Sequence, residues 1–200
     1  MSELIKFDTT SDEKIVIETK ILDLVPENDP ILKQVIPEFD FDNPPIDPTD
    51  LSSQLVETCK EHKGHGLSAN QCGLNYRVFV MGAENEYIAC FNPQIIAASS
   101  EMIHMVEGCL SFPMLALRIT RPAGVVVDYQ DWTGKHHQAN FVGISARCFL
   151  HELDHMNGIV YTEKVKPLAL QQGLKKRAKI NGMLKKAQKK LDTLQHGNTN

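Results

Sequence analysis

His151 and His155 stand four residues apart in Phe149-Leu-His-Glu-Leu-Asp-His155. On a helix this spacing projects both imidazoles from one face, one turn apart, where they can share a tetrahedral metal ion. Glu152 lies beside the first histidine, placed to act as the general base of a metal-assisted hydrolysis. An H-E-x-x-H string arises by chance in roughly 1% of chains of this length, and a helix with two satisfied histidines carries the same letters. A catalytic site of this type takes three protein ligands and leaves one position open, so a third donor is needed. Cys148 lies three residues before His151, but Cys148 to His155 spans roughly 10 Å of helix rise, too far for both to reach one ion along with His151. It reads as a core residue. Cys109, in Glu107-Gly-Cys-Leu-Ser-Phe-Pro113, follows a predicted strand beside Gly108. Its position alone leaves ligand and packing roles equally open.

The elements that must position these residues follow from pattern. The histidine helix is predicted from about Ile144 to Asn157, with Gly158 as its C-terminal stop. An earlier helix starts near Asp47 or Thr49, takes Pro48 in its first turn, buries Leu51, Leu55 and Cys59, and stops at Gly64. Between them lie short β-rich runs: Arg77–Met81, Tyr87–Phe91, Glu101–Met105, Ala116–Thr120, Gly124–Tyr129 and His136–Asn140, with a hairpin turn at Thr133-Gly134. Residues 1–13 read as a polar extension and Lys14–Thr19 as a strand. The prolines between 25 and 48 predict irregular chain, Val160–Thr162 reads as one more strand, and Pro167 opens a C-terminal helix to about Leu194. The expected fold is α+β: one domain of short, mostly antiparallel sheets around a central H-E-x-x-H helix, with an N-terminal helix and a basic C-terminal helix. The catalytic body is assigned to 1–166, the basic helix of the same domain to 167–195, and a disordered tail to 196–200.

Composition excludes several classes. Two hundred residues, 42% hydrophobic and 23% charged, suffice for one real core. No apolar run is long enough to span a membrane. The N-terminus lacks a basic-then-apolar signal pattern, and five cysteines without a C-x-x-C pair argue against a disulfide framework, so a reducing, cytoplasmic setting is expected. The net charge of −4 hides an asymmetry. Lys164 to Lys190 holds ten of the 21 basic residues and no acid, leaving 11 basic against 25 acidic residues elsewhere, a formal −14.

Three separated motifs carry a resemblance to the peptide deformylases. Gly64-His-Gly-Leu-Ser-Ala-Asn-Gln71 resembles that family's G-x-G-L-A-A-x-Q, Glu107-Gly-Cys-Leu-Ser111 is identical to its E-G-C-L-S, and His151-Glu-Leu-Asp-His155 matches its H-E-x-D-H, in the same order. The likeness extends over roughly residues 17–190. It implies that Cys109, His151 and His155 ligate a divalent metal, Fe²⁺ physiologically, which Zn²⁺ or Ni²⁺ can replace. It implies further that a metal-held hydroxide attacks the formyl carbon of an N-formyl-methionyl nascent peptide. Glu152 then serves as general base and acid, and the Gln71 amide and the Leu110 backbone N–H stabilise the oxyanion. Gly66 and Gly108 would let the substrate backbone approach, His65 is counted with the substrate-binding residues, and Met105, Ile144 and Arg147 fall near the methionine pocket. A monomer is expected.

The sequence departs from the family pattern at three positions. Ser68 replaces the first alanine, a small change. His65 stands where a small or aliphatic residue is usual. Arg147 replaces an aliphatic residue and is expected either to narrow or polarise the pocket rim, or to pack its stem while its head reaches solvent. On the C-terminal helix Ile180, Leu184, Ala187, Leu191 and Leu194 form an apolar stripe. Lys175, Lys176, Arg177, Lys179, Lys185, Lys186, Lys189 and Lys190 supply a basic face, which reads either as a solvated surface or as a contact for ribosomal RNA phosphates. Two rival classes are a metalloprotease and an idle binding module. Glu163 is the only acid between His155 and Asp192 that could serve the first rival as a downstream ligand, and the intact Glu107-Gly-Cys-Leu-Ser111 argues against that rival. The intact Glu152, Gln71 and three ligands argue against the second.

Overall fold

In the computed structural model residues 19–84 and 86–196 are described; the extension at 1–13, nearly all of the predicted strand Lys14–Thr19 and the tail beyond His196 lie outside them. The first long helix, α1 (Pro48–Glu61), begins where Asp47 accepts hydrogen bonds from the Thr49 and Asp50 amides at 2.8 and 3.1 Å, with Pro48 in the first turn. Leu51, Leu55 and Cys59, one turn apart, are fully buried. The helix ends three residues before Gly64, because Lys63 takes the left-handed conformation (φ +55°) that glycine was expected to supply.

Five antiparallel strands make the main sheet in the order β1-β2-β3-β6-β7, namely Gly66–Ser68, Val78–Ala83, Glu86–Ala98, Gly124–Gln130 and His136–Val142. Val78 to Met81 are buried on both faces, so β2 shows no polar alternation. Val78 and Val80 face α1, while Phe79 and Met81 face α2 (Gly143–Met156). Phe79 meets Phe149 of α2 edge to face at 5.2 Å. Burying such a ring is worth about 1.5–3 kcal/mol, and these contacts seat α2 on the sheet. Strand β3 runs well past the predicted Tyr87–Phe91. It absorbs Pro93 by register shifts after Phe91 and Ile95, with Asn92 at φ +47°. Strand β1 is too short to leave a periodic signal.

A separate two-stranded ribbon pairs β4 (Met102–Cys109) with β5 (Phe112–Pro122). Leu115, Leu117 and Ile119 alternate inward and cover Leu32, Val160 and Tyr161. The predicted strand at Val160–Thr162 is corrected: Tyr161–Lys164 is a single 3-10 turn. The Tyr161 hydroxyl donates to the Leu115 carbonyl at 2.7 Å, and tertiary anchoring overrides the local β preference. The last helix, α3 (Pro167–His196), packs its first part on β5, where Gly173 lies against Leu115 and Leu117. From Asn181 to Thr193 every residue is exposed. Among the described residues no helix is long and apolar enough to cross a membrane.

Candidate metal centre and catalytic groups

Helix α2 carries His151 and His155 on one face, their rings 5.2 Å apart and inclined by 76°. The helix stops at Gly158, whose φ of +68° and whose place against the Lys33 carbonyl exclude any side chain. Cys109 comes from the end of β4. The β4–β5 register shifts between Glu107 and Cys109, and this irregularity turns Cys109 toward α2. Ligand atoms of Cys109, His151 and His155 lie within 4.8 Å of one another. Cys109 Sγ is 3.3 Å from His155 Nε2. One thiolate and two imidazoles form a donor set that suits Fe²⁺, Zn²⁺ or Ni²⁺ and leaves a position open, so the residues fit such an ion. Cys148 stands apart from this cluster. Its thiol donates to the His65 carbonyl at 3.2 Å and burial pushes its pKa well up, in keeping with an inert packing role.

Glu107, a buried carboxylate, orients the first histidine by accepting from His151 Nδ1 at 3.0 Å, which leaves Nε2 for a metal. Arg121 binds Glu107 side-on, Nε to Oε1 at 2.7 Å and Nη2 to Oε2 at 2.9 Å. Its remaining nitrogen reaches Asp154 at 2.6 Å, and Asp154 also pairs with Lys164 at 3.0 Å. Burial alone would raise the Glu107 pKa; the bonds from Arg121 and His151, the Arg121 charge and the bond from Arg147 together hold it well below the usual carboxylate range. For His151 burial acts downward, but its contacts with Cys109 and Glu107 lift it to about 10 in the metal-free protein. His155, with no carboxylate partner among the described residues, is pushed well down by burial.

Glu152, beside His151 on α2, is buried. Ser68 donates to its Oε2 at 2.7 Å, which leaves Oε1 unengaged among the described residues. Burial raises the Glu152 pKa, the direction that suits a group taking and returning a proton near neutrality. Gln71 is held by its own loop: its Oε1 accepts from the Ser68 amide at 2.9 Å, so its Nε2 must point at Cys109 Sγ (3.3 Å) and Ser111 Oγ (3.0 Å). Leu110 is half-buried against the α1 core. At Gly66 the atoms that exclude a side chain are Glu152 Oε1 and Cys148 Sγ, whereas the space around Gly108 is open.

This geometry has counterparts among known proteins. A sequence profile of the family described as polypeptide deformylase matches residues 21–171, about three-quarters of the chain. The chain belongs to that family. A peptide deformylase of Finegoldia magna is 36% identical over 148 residues, covering 73% of this chain and 90% of its own length. The crystal structure of a Synechococcus elongatus peptide deformylase with actinonin superposes with a TM-score of 0.73 at 30% identity, over 78% of this chain and 88% of the other. An Acinetobacter baumannii class I type b enzyme bound to Met-Ala-Ser aligns with a TM-score of 0.69 at 28% identity, over 74% and 99%. Deformylases are metal-dependent hydrolases that remove the N-formyl group from nascent peptides, and this chain is one of them.

Within the deformylase framework two expectations about side chains change. Arg147 does not reach solvent. Its guanidinium is buried and donates to Glu107 Oε1 (2.8 Å), the Ile119 carbonyl (2.9 Å) and the Ile103 carbonyl (2.7 Å). Arg177, counted in the basic face, is half-buried and paired with Glu27 at 2.7 Å. His65 and Ile144 share an open cleft of about 350 Å³ with Met81, Ser145 and Cys148, and Met105 does not line it. Sequence reasoning missed Arg121, Glu107 as its partner, and the hydroxyl of Ser68. The first two had a signal: both occupy inward positions of alternating strands, after Ile103 and Met105 on β4 and after Leu115, Leu117 and Ile119 on β5. Opposite charges at core-facing positions of paired strands imply a buried pair.

Proposed function

We propose that Cys109, His151 and His155 hold the metal of this deformylase and that Glu152, Gln71 and Leu110 carry the chemistry. The observation that supports this most is the convergence of the three ligand atoms beside a buried carboxylate whose Oε1 is unengaged. Cys109, His151 and His155 would hold a divalent ion, which would supply Lewis acidity to the attacking water and the formyl carbonyl. Glu152 accepts a proton from the attacking water as its oxygen bonds to the formyl carbon. The negative charge that develops on the formyl oxygen is met by the Gln71 side-chain amide and the Leu110 backbone N–H. Glu152 then delivers the proton to the departing amine, the C–N bond breaks, and formate and a free N-terminal methionine leave. His65, Gly66, Gly108 and Ile144 are assigned to the substrate groove, with Met105 outside the cleft that His65 and Ile144 share. The Met-Ala-Ser peptide on the Acinetobacter baumannii relative supports a formyl-methionyl peptide as substrate.

Fe²⁺ is the assigned resident metal; a thiolate–Fe²⁺ site should lose activity on exposure to oxygen or peroxide, while a Zn²⁺ or Ni²⁺ form should not. We further assign the exposed basic face of α3, led by Lys175, Lys176, Lys179, Lys185, Lys186, Lys189 and Lys190, to ribosomal RNA phosphates, and the enzyme to the cytoplasm. Formate release from formyl-Met-Ala-Ser tests the catalytic assignment. Glu152→Gln should bind metal as the wild type does and lose about 10²–10⁴-fold in kcat. Retained activity would remove Glu152 from the mechanism.

A further inference from the structure

Arg147 has no role in the mechanism above, yet it is among the most completely bonded side chains of the protein. It sits on α2 one turn before His151, so the two side chains project from the same face of the helix. Both bind one carboxylate. Arg147 Nη1 donates to Glu107 Oε1 at 2.8 Å and His151 Nδ1 donates to Oε2 at 3.0 Å. Arg121 fills the two remaining acceptor positions, Nε on Oε1 and Nη2 on Oε2. A carboxylate offers about four acceptor positions, and here all four are occupied.

The four donors do different things. Arg121 grips Glu107 from β5, and its other bonds run to Asp154 and the Leu150 carbonyl on α2. It sets the plane of the carboxylate. Arg147 is anchored independently, since its second nitrogen donates to the Ile103 carbonyl of β4 and its first also reaches the Ile119 carbonyl of β5. Ile103 and Ile119 lie on both strands of the ribbon that delivers Cys109. The arginine therefore ties the strand bearing one ligand to the helix bearing the other two, and it does so at the carboxylate that orients His151. A lysine offers a single nitrogen and cannot span the three acceptors.

We propose that Arg147 is a positioning residue for the metal centre, fixing Glu107, and through it the His151 imidazole, relative to Cys109. This rests on the ligand set assigned above. Groups that orient metal-ligating histidines typically change metal affinity about 10–100-fold when removed. The lower end of that range is expected for Arg147, because Arg121 still holds Glu107.

The test is Zn²⁺ affinity, by competition with a chromophoric chelator, together with the visible spectrum of the Co²⁺-loaded protein. Wild type, Arg147→Met, Arg147→Lys and the remote core variant Leu55→Ala are compared below their unfolding temperatures. Arg147→Met should bind Zn²⁺ about tenfold more weakly and show an altered Co²⁺ spectrum, and Arg147→Lys should fall between it and wild type. Leu55→Ala should lose thermal stability while keeping wild-type affinity and spectrum. A purely structural role for Arg147 predicts the Leu55→Ala pattern instead, with lowered melting temperature and unchanged affinity and spectrum, and that result overturns the proposal. If Arg147→Met does not fold, Arg147→Lys decides alone: weaker binding supports the proposal and wild-type binding overturns it. Failure of the wild type to bind one Zn²⁺ per chain would instead refute the ligand set itself.

Discussion

Replacing Glu107 by glutamine should destabilise the metal-free protein by several kcal/mol, although the side chain keeps its shape. The carboxylate receives four donors from Arg121, Arg147 and His151, and its side chain is 4% exposed. A glutamine amide keeps one oxygen and turns the other two acceptor positions into N–H groups aimed at donors. Either orientation forfeits two of the four bonds. Hydrogen bonds to charged groups are worth about 1.5–3 kcal/mol each, which gives a loss of roughly 3–6 kcal/mol. Breaking a buried ion pair from one side costs about 3–5 kcal/mol, in agreement. Arg121 retains Asp154, whereas Arg147 is left without a carboxylate. Against a total stability of about 5–15 kcal/mol the loss is large. Urea unfolding of both metal-free proteins at pH 7 measures it, and a difference below about 1 kcal/mol would show that the network is solvated rather than buried. The pH dependence supplies a second readout. The folded pKa of Glu107 is depressed below its ordinary value of 4.5. Its contribution is therefore present above pH 4.5 and lost as pH falls from there toward the folded value. Wild-type stability should drop steeply below pH 4.5, and the glutamine variant, lacking this titration, should follow a flatter curve.

Three further outcomes follow from the site and from α3. Ser68→Ala removes the 2.7 Å donor to Glu152 Oε2 and should lower kcat about tenfold with KM changed less than about twofold; equal changes in both would place Ser68 in substrate binding. Despite burial, Cys109 and Glu107 keep His151 protonated up to about 10 in the metal-free protein, so Zn²⁺ uptake at pH 7 should release a proton. Calorimetry in two buffers of different ionisation enthalpy detects it, and buffer-independent heats would contradict the reading. Reversing Lys185, Lys186, Lys189 and Lys190 to glutamate should weaken ribosome co-sedimentation, lower its salt dependence by about 0.7–0.9 in log–log slope per lost phosphate contact, and leave tripeptide deformylation unchanged.

The two histidines were legible as candidate ligands because two imidazoles one turn apart with a glutamate between them are a pattern that few other roles produce, whereas Cys109 entered only through the resemblance carried by Glu107-Gly-Cys-Leu-Ser111. The helices were legible because Asp47, Pro48 and Gly158 mark their ends with local chemistry. What stayed hidden depends on distant partners. Arg147 reads as an intruder on an apolar helix face until Glu107 and the Ile103 and Ile119 carbonyls are brought to it by β4 and β5. Ser68 reads as a slightly enlarged alanine until the fold sets Glu152, 84 residues away, beside its hydroxyl. The Tyr161 turn carries β-favouring letters and is decided by one hydrogen bond to Leu115. Local pattern records what a residue prefers, while the network around Glu107 exists only through long-range pairing.

The most direct test of the metal-centred mechanism is formate release from formyl-Met-Ala-Ser by anaerobically purified protein, measured alongside its metal content, for wild type and Cys109→Ala. One Fe²⁺ per wild-type chain, robust formate release, and loss of both in Cys109→Ala are the predicted results. Formate release that persists in metal-free Cys109→Ala would contradict the account.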